Sequence, residues 1–149
     1  MTRCILTTIA LLTIISVTGQ NPVSWTYAAK KIADKTYEVH ITAKIQNGWH
    51  LYSQNQPADA IAIPIAIKIN THPLAKVSGK AKEIGDLEKH KEPSLGIEDW
   101  QYSEKVEFVQ TVSLKANVKT NISGTIEYQA CTNEKCLPPK TMVFNVRLE

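Results

Sequence analysis

The sequence is poor in the features that mark several large classes of protein. Cysteine is scarce, with three in 149 residues, and a chain of this length buries a core without needing a crosslink. Strong charge is missing too: the net charge is +3, and the lysines are scattered instead of gathered into a stripe alternating with aromatics, which argues against nucleic acid as a partner. Beyond the first twenty residues no apolar run is long enough to span a bilayer. No internal repeat or low-complexity tract occurs, and from Ser24 onward no stretch sustains an apolar period of 3.6, so helices are not expected. A metal site lacks ligands: tetrahedral zinc takes about four, whereas His40, His50, His72 and His90 show no short ligand spacing and only two thiols lie together. Nucleophilic hydrolysis lacks a local base paired with an oxyanion hole.

What is present begins with a leader. MTRCILTTIALLTIISVTGQ has one cation at Arg3, an apolar run from Ile5 to Val17, and small or polar residues Ser16, Thr18 and Gly19 before Gln20. The run is shorter than the roughly 20 residues of a membrane span and is rich in threonine, which favours a cleaved secretory signal over an anchor. Residues 1–19 are therefore expected to leave, taking Cys4 with them. Residues 20–149 then form one soluble domain in the periplasm or outside the cell, where its two remaining cysteines can stay oxidised.

That domain reads as all-β. Lys35 to Gln46 puts Tyr37, Val39, Ile41, Ala43 and Ile45 on one face and Glu38, His40, Thr42 and Lys44 on the other, before Asn47-Gly48 ends the run. Ala60 to Ile69 alternates around Pro64, which places it at a sheet edge or a bulge because proline cannot donate to a ladder. Lys105 to Leu114, Ile122 to Ala130 and Met142 to Leu148 supply further strands. About seven strands suit a two-sheet immunoglobulin-like sandwich, with a barrel as the other architecture they allow. Between Lys76 and Tyr102 the pattern fails, and this segment is expected to be a long irregular loop, either functional or merely solvated.

The stretch YQACTNEKCLPPK holds Cys131 and Cys136 on the shoulders of a turn, Thr132 to Lys135, between two strands. Directly opposed residues of an antiparallel pair have Cα atoms close enough for a disulfide. Closing so short a loop contributes only roughly 2 kcal/mol, and the hairpin already holds its ends together. In an exported protein an inert structural bond is nevertheless the common case. The residues that follow favour exchange, since Pro138 and Pro139 cannot offer two successive backbone donors and leave the rim near Cys136 open to a partner.

The same stretch resembles the redox hairpin of the amino-terminal domain of the DsbD family of thiol:disulfide interchange proteins, with its Tyr-Gln, small residue, cysteine, short polar loop, cysteine and Pro-Pro. Asn47-Gly48-Trp49-His50-Leu51-Tyr52 is similar to that family's segment beside the active site, and Trp100 to Phe108 is a weaker match. The resemblance implies an immunoglobulin-like domain with a redox cysteine hairpin and a cap loop, passing electrons in the bacterial periplasm without a cofactor. It implies that Cys136 forms the mixed disulfide with a thioredoxin-like partner, that Cys131 resolves it, and that a separate membrane-embedded protein donates electrons. Glu92-Pro93-Ser94-Leu95 falls at the family's cap, with Leu95 in place of its aromatic, and His50 and Tyr52 are the candidate pocket residues. The cysteines here are one residue closer than in the family's best-known members, and the acidic pair beside their cap has no exact counterpart. The other reading of the residues is a secreted β-sandwich binding module whose disulfide is inert.

Overall fold

The computed structural model describes residues 21–149, so the expected leader, residues 1–19, and Gln20 at its expected cleavage point lie outside the described residues. Every regular element among the described residues is a strand: β1 (Val23–Ala33), β2 (Thr36–Ile45), β3 (His50–Tyr52), β4 (Ala66–Ile69), β5 (Ala75–Gly85), β6 (Glu88–Glu92), β7 (Ile97–Ser103), β8 (Lys105–Leu114), β9 (Thr120–Tyr128), β10 (Ala130–Cys131) and β11 (Lys140–Leu148). All pairings between them are antiparallel.

Period-two alternation builds the first layer. In β2 the side chains of Tyr37, Val39, Ile41, Ala43 and Ile45 are buried, and the paired β8 buries Val106, Phe108, Val112 and Leu114 toward the same core. With β1 and β5 outside them, these strands form a sheet in the order β1-β2-β8-β5. The opposite layer comprises two ladders, β11-β9-β4 and β10-β3-β7-β6, and the chain passes from one to the other between Tyr128 and Ala130. Aromatic rings join the layers: Trp25 of β1 meets Tyr128 of β9 at 5.3 Å between centroids, and Tyr27 stacks on Phe144 of β11 at 5.6 Å. The architecture is an all-β immunoglobulin-like sandwich, as the strand pattern led us to expect.

Three expectations need correction. Residues 76–102 are not an irregular loop but contain β5, β6 and β7. β5 and β6 lie at the edges of their sheets and face solvent along most of their length, so lysine and glutamate occupy successive positions and no apolar alternation develops. The strand expected from Ala60 shrinks to Ala66–Ile69, beginning just past Pro64 and running at the edge of its sheet. Finally, the turn that carries the cysteines does not cap the β9–β11 ladder. That ladder stops at Tyr128↔Lys140, and the next residues pair with β3 instead.

Gly124 permits close packing within the second layer, because a Cβ there would run into the Lys68 carbonyl and the Phe144 ring. Gly124→Ala should therefore lower stability by about 1–3 kcal/mol. Val143→Thr, at a site that is 71% exposed, should stay within about 0.5 kcal/mol. Urea unfolding at unchanged m-value checks both.

Candidate functional site

Leu137 N–H donates to the Ala130 carbonyl at 2.9 Å, and Thr132 N–H donates to the Lys135 carbonyl at 2.7 Å. Cys131 and Cys136 sit between these two bonded pairs as directly opposed residues, with Cα atoms 4.0 Å apart, and they are disulfide-bonded. Such a position, without ladder bonds of its own, is the one that brings facing side chains closest. The Thr132 hydroxyl accepts the N–H groups of Glu134 at 3.2 Å and Lys135 at 3.1 Å, which shapes the turn. Gln129 Nε2 donates to the Leu137 carbonyl at 3.0 Å, tying down the chain just after Cys136.

The two sulfur-bearing residues differ in access. Cys131 is fully buried at 0% exposure, whereas Cys136 is exposed, as are Pro138 and Pro139 beside it. Cys131 is buried because β10 is a true strand, pairing Ala130 with Leu51 and Cys131 with His50. Turning through Asn47-Gly48, where Gly48 has φ 81°, sends the chain into β3. Trp49, just before β3, has the Lys135 ammonium 6.0 Å from its ring centroid.

Alternation gives the β10-β3-β7-β6 sheet two unlike faces. Leu51, Tyr102 and Ala130 point into the core and are buried. Register places Cys131, His50 and Ser103 in one row on the other face, with Tyr52, Gln101 and Glu88 in the next and Asp99 with His90 beyond. All of these except the enclosed Cys131 line two adjoining depressions of about 400 and 240 Å³, to which Thr132 and Asn133 of the cysteine turn also contribute. His50 is buried, its Nε2 lies 3.3 Å from the Tyr52 hydroxyl, and the two rings meet edge to face. Burial pushes the His50 imidazole pKa down and His90 adds to this, while Glu88 and Asp99 pull it the other way. Burial, followed by the charge of Asp99, raises the Tyr52 hydroxyl.

Glu83, on β5, braces the chain leaving β3. Its carboxylate accepts from Ser53 Oγ at 2.7 Å, Gln54 N–H at 2.6 Å and the Tyr102 hydroxyl at 3.0 Å. Glu83, Glu88, Asp99 and Gln101 escaped the sequence reading because they occupy the stretch taken for a loop, and His90, in the same stretch, was weighed only as a metal ligand. The expected cap residues Pro93 and Leu95 lie in the turn joining β6 to β7, where the N–H groups of Leu95 and Gly96 donate to the Glu92 carbonyl at 3.1 and 3.0 Å. Leu95 is 68% exposed at the tip, and the stem of this hairpin lines the depressions. Thus His50 and Tyr52 are brought beside the cysteine pair, while Pro93 and Leu95 stand at the end of the neighbouring hairpin. Among the described residues no group of three or more His, Cys, Asp or Glu could hold a metal ion. No helix among them is long and apolar enough to cross a membrane.

Fold and site together define a β-sandwich domain that carries a disulfide across an exposed turn at the end of one sheet. The chain matches the family described as thiol:disulfide interchange protein DsbD, N-terminal, over residues 21–148, and it belongs to that family. A DsbD N-terminal domain from Neisseria meningitidis, solved in complex with the PilB N-terminal domain, is 16% identical with a TM-score of 0.53, covering 87% of this chain and 86% of that one. The reduced form of the Neisseria meningitidis domain is 19% identical with a TM-score of 0.43, covering 81% and 82%. The N-terminal periplasmic domain of ScsB from Proteus mirabilis is 15% identical with a TM-score of 0.48, covering 90% of this chain and 49% of that one. At these identities the likeness bears on the fold. No curated protein matches the chain.

Because the folded protein resists protonating His50 while the unfolded chain takes up a proton near pH 6.5, stability should decline as pH falls through that value. In the oxidised His50→Gln variant the decline between about pH 7.5 and about pH 5 should be shallower than in the parent. Urea unfolding across that range measures it, and an equal slope would assign the decline to other groups.

Proposed function

We propose that this chain is a periplasmic exchange domain, passing electron pairs between thioredoxin-like proteins through the Cys131–Cys136 disulfide. The observation that carries the reading is the asymmetry of the pair, a fully buried Cys131 joined to an exposed Cys136. Exchange needs one sulfur within reach of a partner and a second held behind it to finish the reaction. Family membership supports the same chemistry, and the Neisseria DsbD domain solved with a PilB domain gives the kind of partner. Cleavage of residues 1–19 would deliver the domain to the periplasm, and a separate membrane-embedded protein would supply its electrons.

Reduced Cys136, as thiolate, attacks one sulfur of the partner's disulfide, and the partner's other sulfur leaves as a thiolate. Cys131 gives up its proton and attacks the Cys136 sulfur. The Cys131–Cys136 bond forms, the mixed disulfide breaks, and the partner departs with two thiols once protonated and two more electrons. Each reaction runs in reverse when the partner is the reductant.

With Cys131→Ser, Cys136 should trap a mixed disulfide with a thioredoxin-like protein, visible as a reducible band on a non-reducing gel. Cys136→Ser should trap far less, because Cys131 is enclosed. Equal trapping by both would reverse the assigned roles. No trapping by either, together with a reduction potential below about −300 mV, would mark the bond as inert.

Leu95 and Pro93, at the tip of the β6–β7 hairpin, are proposed to shield the pair from unproductive thiols. Leu95→Ala should then speed the reaction of the reduced protein with iodoacetamide. An unchanged rate would remove the tip residues from the site.

A further inference from the structure

The reaction leaves one chemical problem to a buried residue. Cys131 must lose a proton before it can attack, yet burial disfavours its thiolate. Its direct cross-strand neighbour is His50, opposed to it in the β10–β3 ladder, and directly opposed side chains leave the sheet on the same face with Cβ atoms about 4.5–5.5 Å apart. The only hydrogen bond of the ring among the described residues joins Nε2 to the Tyr52 hydroxyl. With Nε2–H donating to that hydroxyl, Nδ1 keeps its lone pair. Asp99, whose Oδ1 is buried without a hydrogen-bond partner, lies on the same face two residues from Gln101, the register partner of Tyr52.

We infer that His50 is the proton acceptor for Cys131 in the resolving step. This rests on the exchange reading and adds a residue to it. The Cys131 proton passes to His50, the sulfur's electron pair forms the bond to Cys136, the outgoing thiolate takes the pair of the broken bond, and the imidazolium then returns its proton to water. Glu88 on β6 and Asp99 on β7 favour the imidazolium that forms, while burial and His90 keep the resting ring neutral and able to accept. Tyr52 completes the ionisable groups facing the ring from its own strand, and Glu104, next to the register partner Ser103, lines the larger depression together with His50.

One equivalent of a chromogenic aryl disulfide separates the two steps without any protein partner. The first aryl thiolate is released when Cys136 forms the mixed disulfide, and the second when Cys131 resolves it. His50→Gln removes the base, and His50→Phe removes it while keeping an aromatic ring in the buried site. Both should slow the second release by about tenfold or more at neutral pH, with the first release changed less than about twofold. In the parent the second rate should level off above the imidazole titration, whereas in both variants it should climb about tenfold per pH unit with thiol ionisation alone. A second release that is unchanged, that Phe restores, or that falls in step with the first would overturn the assignment. A parent protein that releases only one aryl thiolate would overturn the exchange reading and this assignment with it.

Discussion

The site depends on a ladder two residues long. Ala130 pairs with Leu51 and Cys131 with His50, and through them the cysteine turn is attached to β3 and not to the ladder between β9, which the chain has just left, and β11, which it enters next. That attachment buries Cys131 and sets it in a row with His50 and Ser103. Cys136, across the turn, has no strand beyond it and stays exposed. One sheet edge therefore supplies both an enclosed sulfur and an accessible one. A two-residue ladder is weak alone, so its neighbours hold it in place. Leu51 and Ala130 are buried in the core, and Glu83 fixes the segment after β3 through Ser53, Gln54 and Tyr102.

Stability and chemistry are assigned to different parts of the molecule. The core lies between the β1-β2-β8-β5 sheet and the β11-β9-β4 ladder, where Phe108, Phe144, Ile41, Ile122, Ile126 and Leu148 are all buried. The disulfide spans a sequence separation of five and closes a turn that backbone bonds on both sides already close. Its opening releases little chain entropy, so the stability of the sandwich does not rest on it. A bond joining distant segments could not be opened so cheaply.

Where solvent lies on one side and core on the other, the strands were readable from their period of two. β2 and β8 show it residue by residue, as do the buried faces of β9 and β11. Where solvent lies on both sides the signal vanishes, which is why β5 and β6 passed for loop. Around the cysteines, Glu88 and His90 belong to this second group, and Asp99 and Gln101 lie on the half-buried β7 beside it. Glu88, His90, Asp99 and Gln101 look in sequence like ordinary surface residues. They become a lining only when β6 and β7 fold back beside β3.

By itself the sequence determined the all-β character, the main core faces, the cysteine pair and its turn, because each is written in local periodicity or spacing. It also carried the likeness to its family in the residues from Tyr128 to Lys140. Only the tertiary structure decided which sheet receives the turn, which cysteine is enclosed and what faces it. Those outcomes depend on pairing between β10 and β3, segments some 80 residues apart, and long-range pairing is selected by the packing of the whole sandwich and by no local preference.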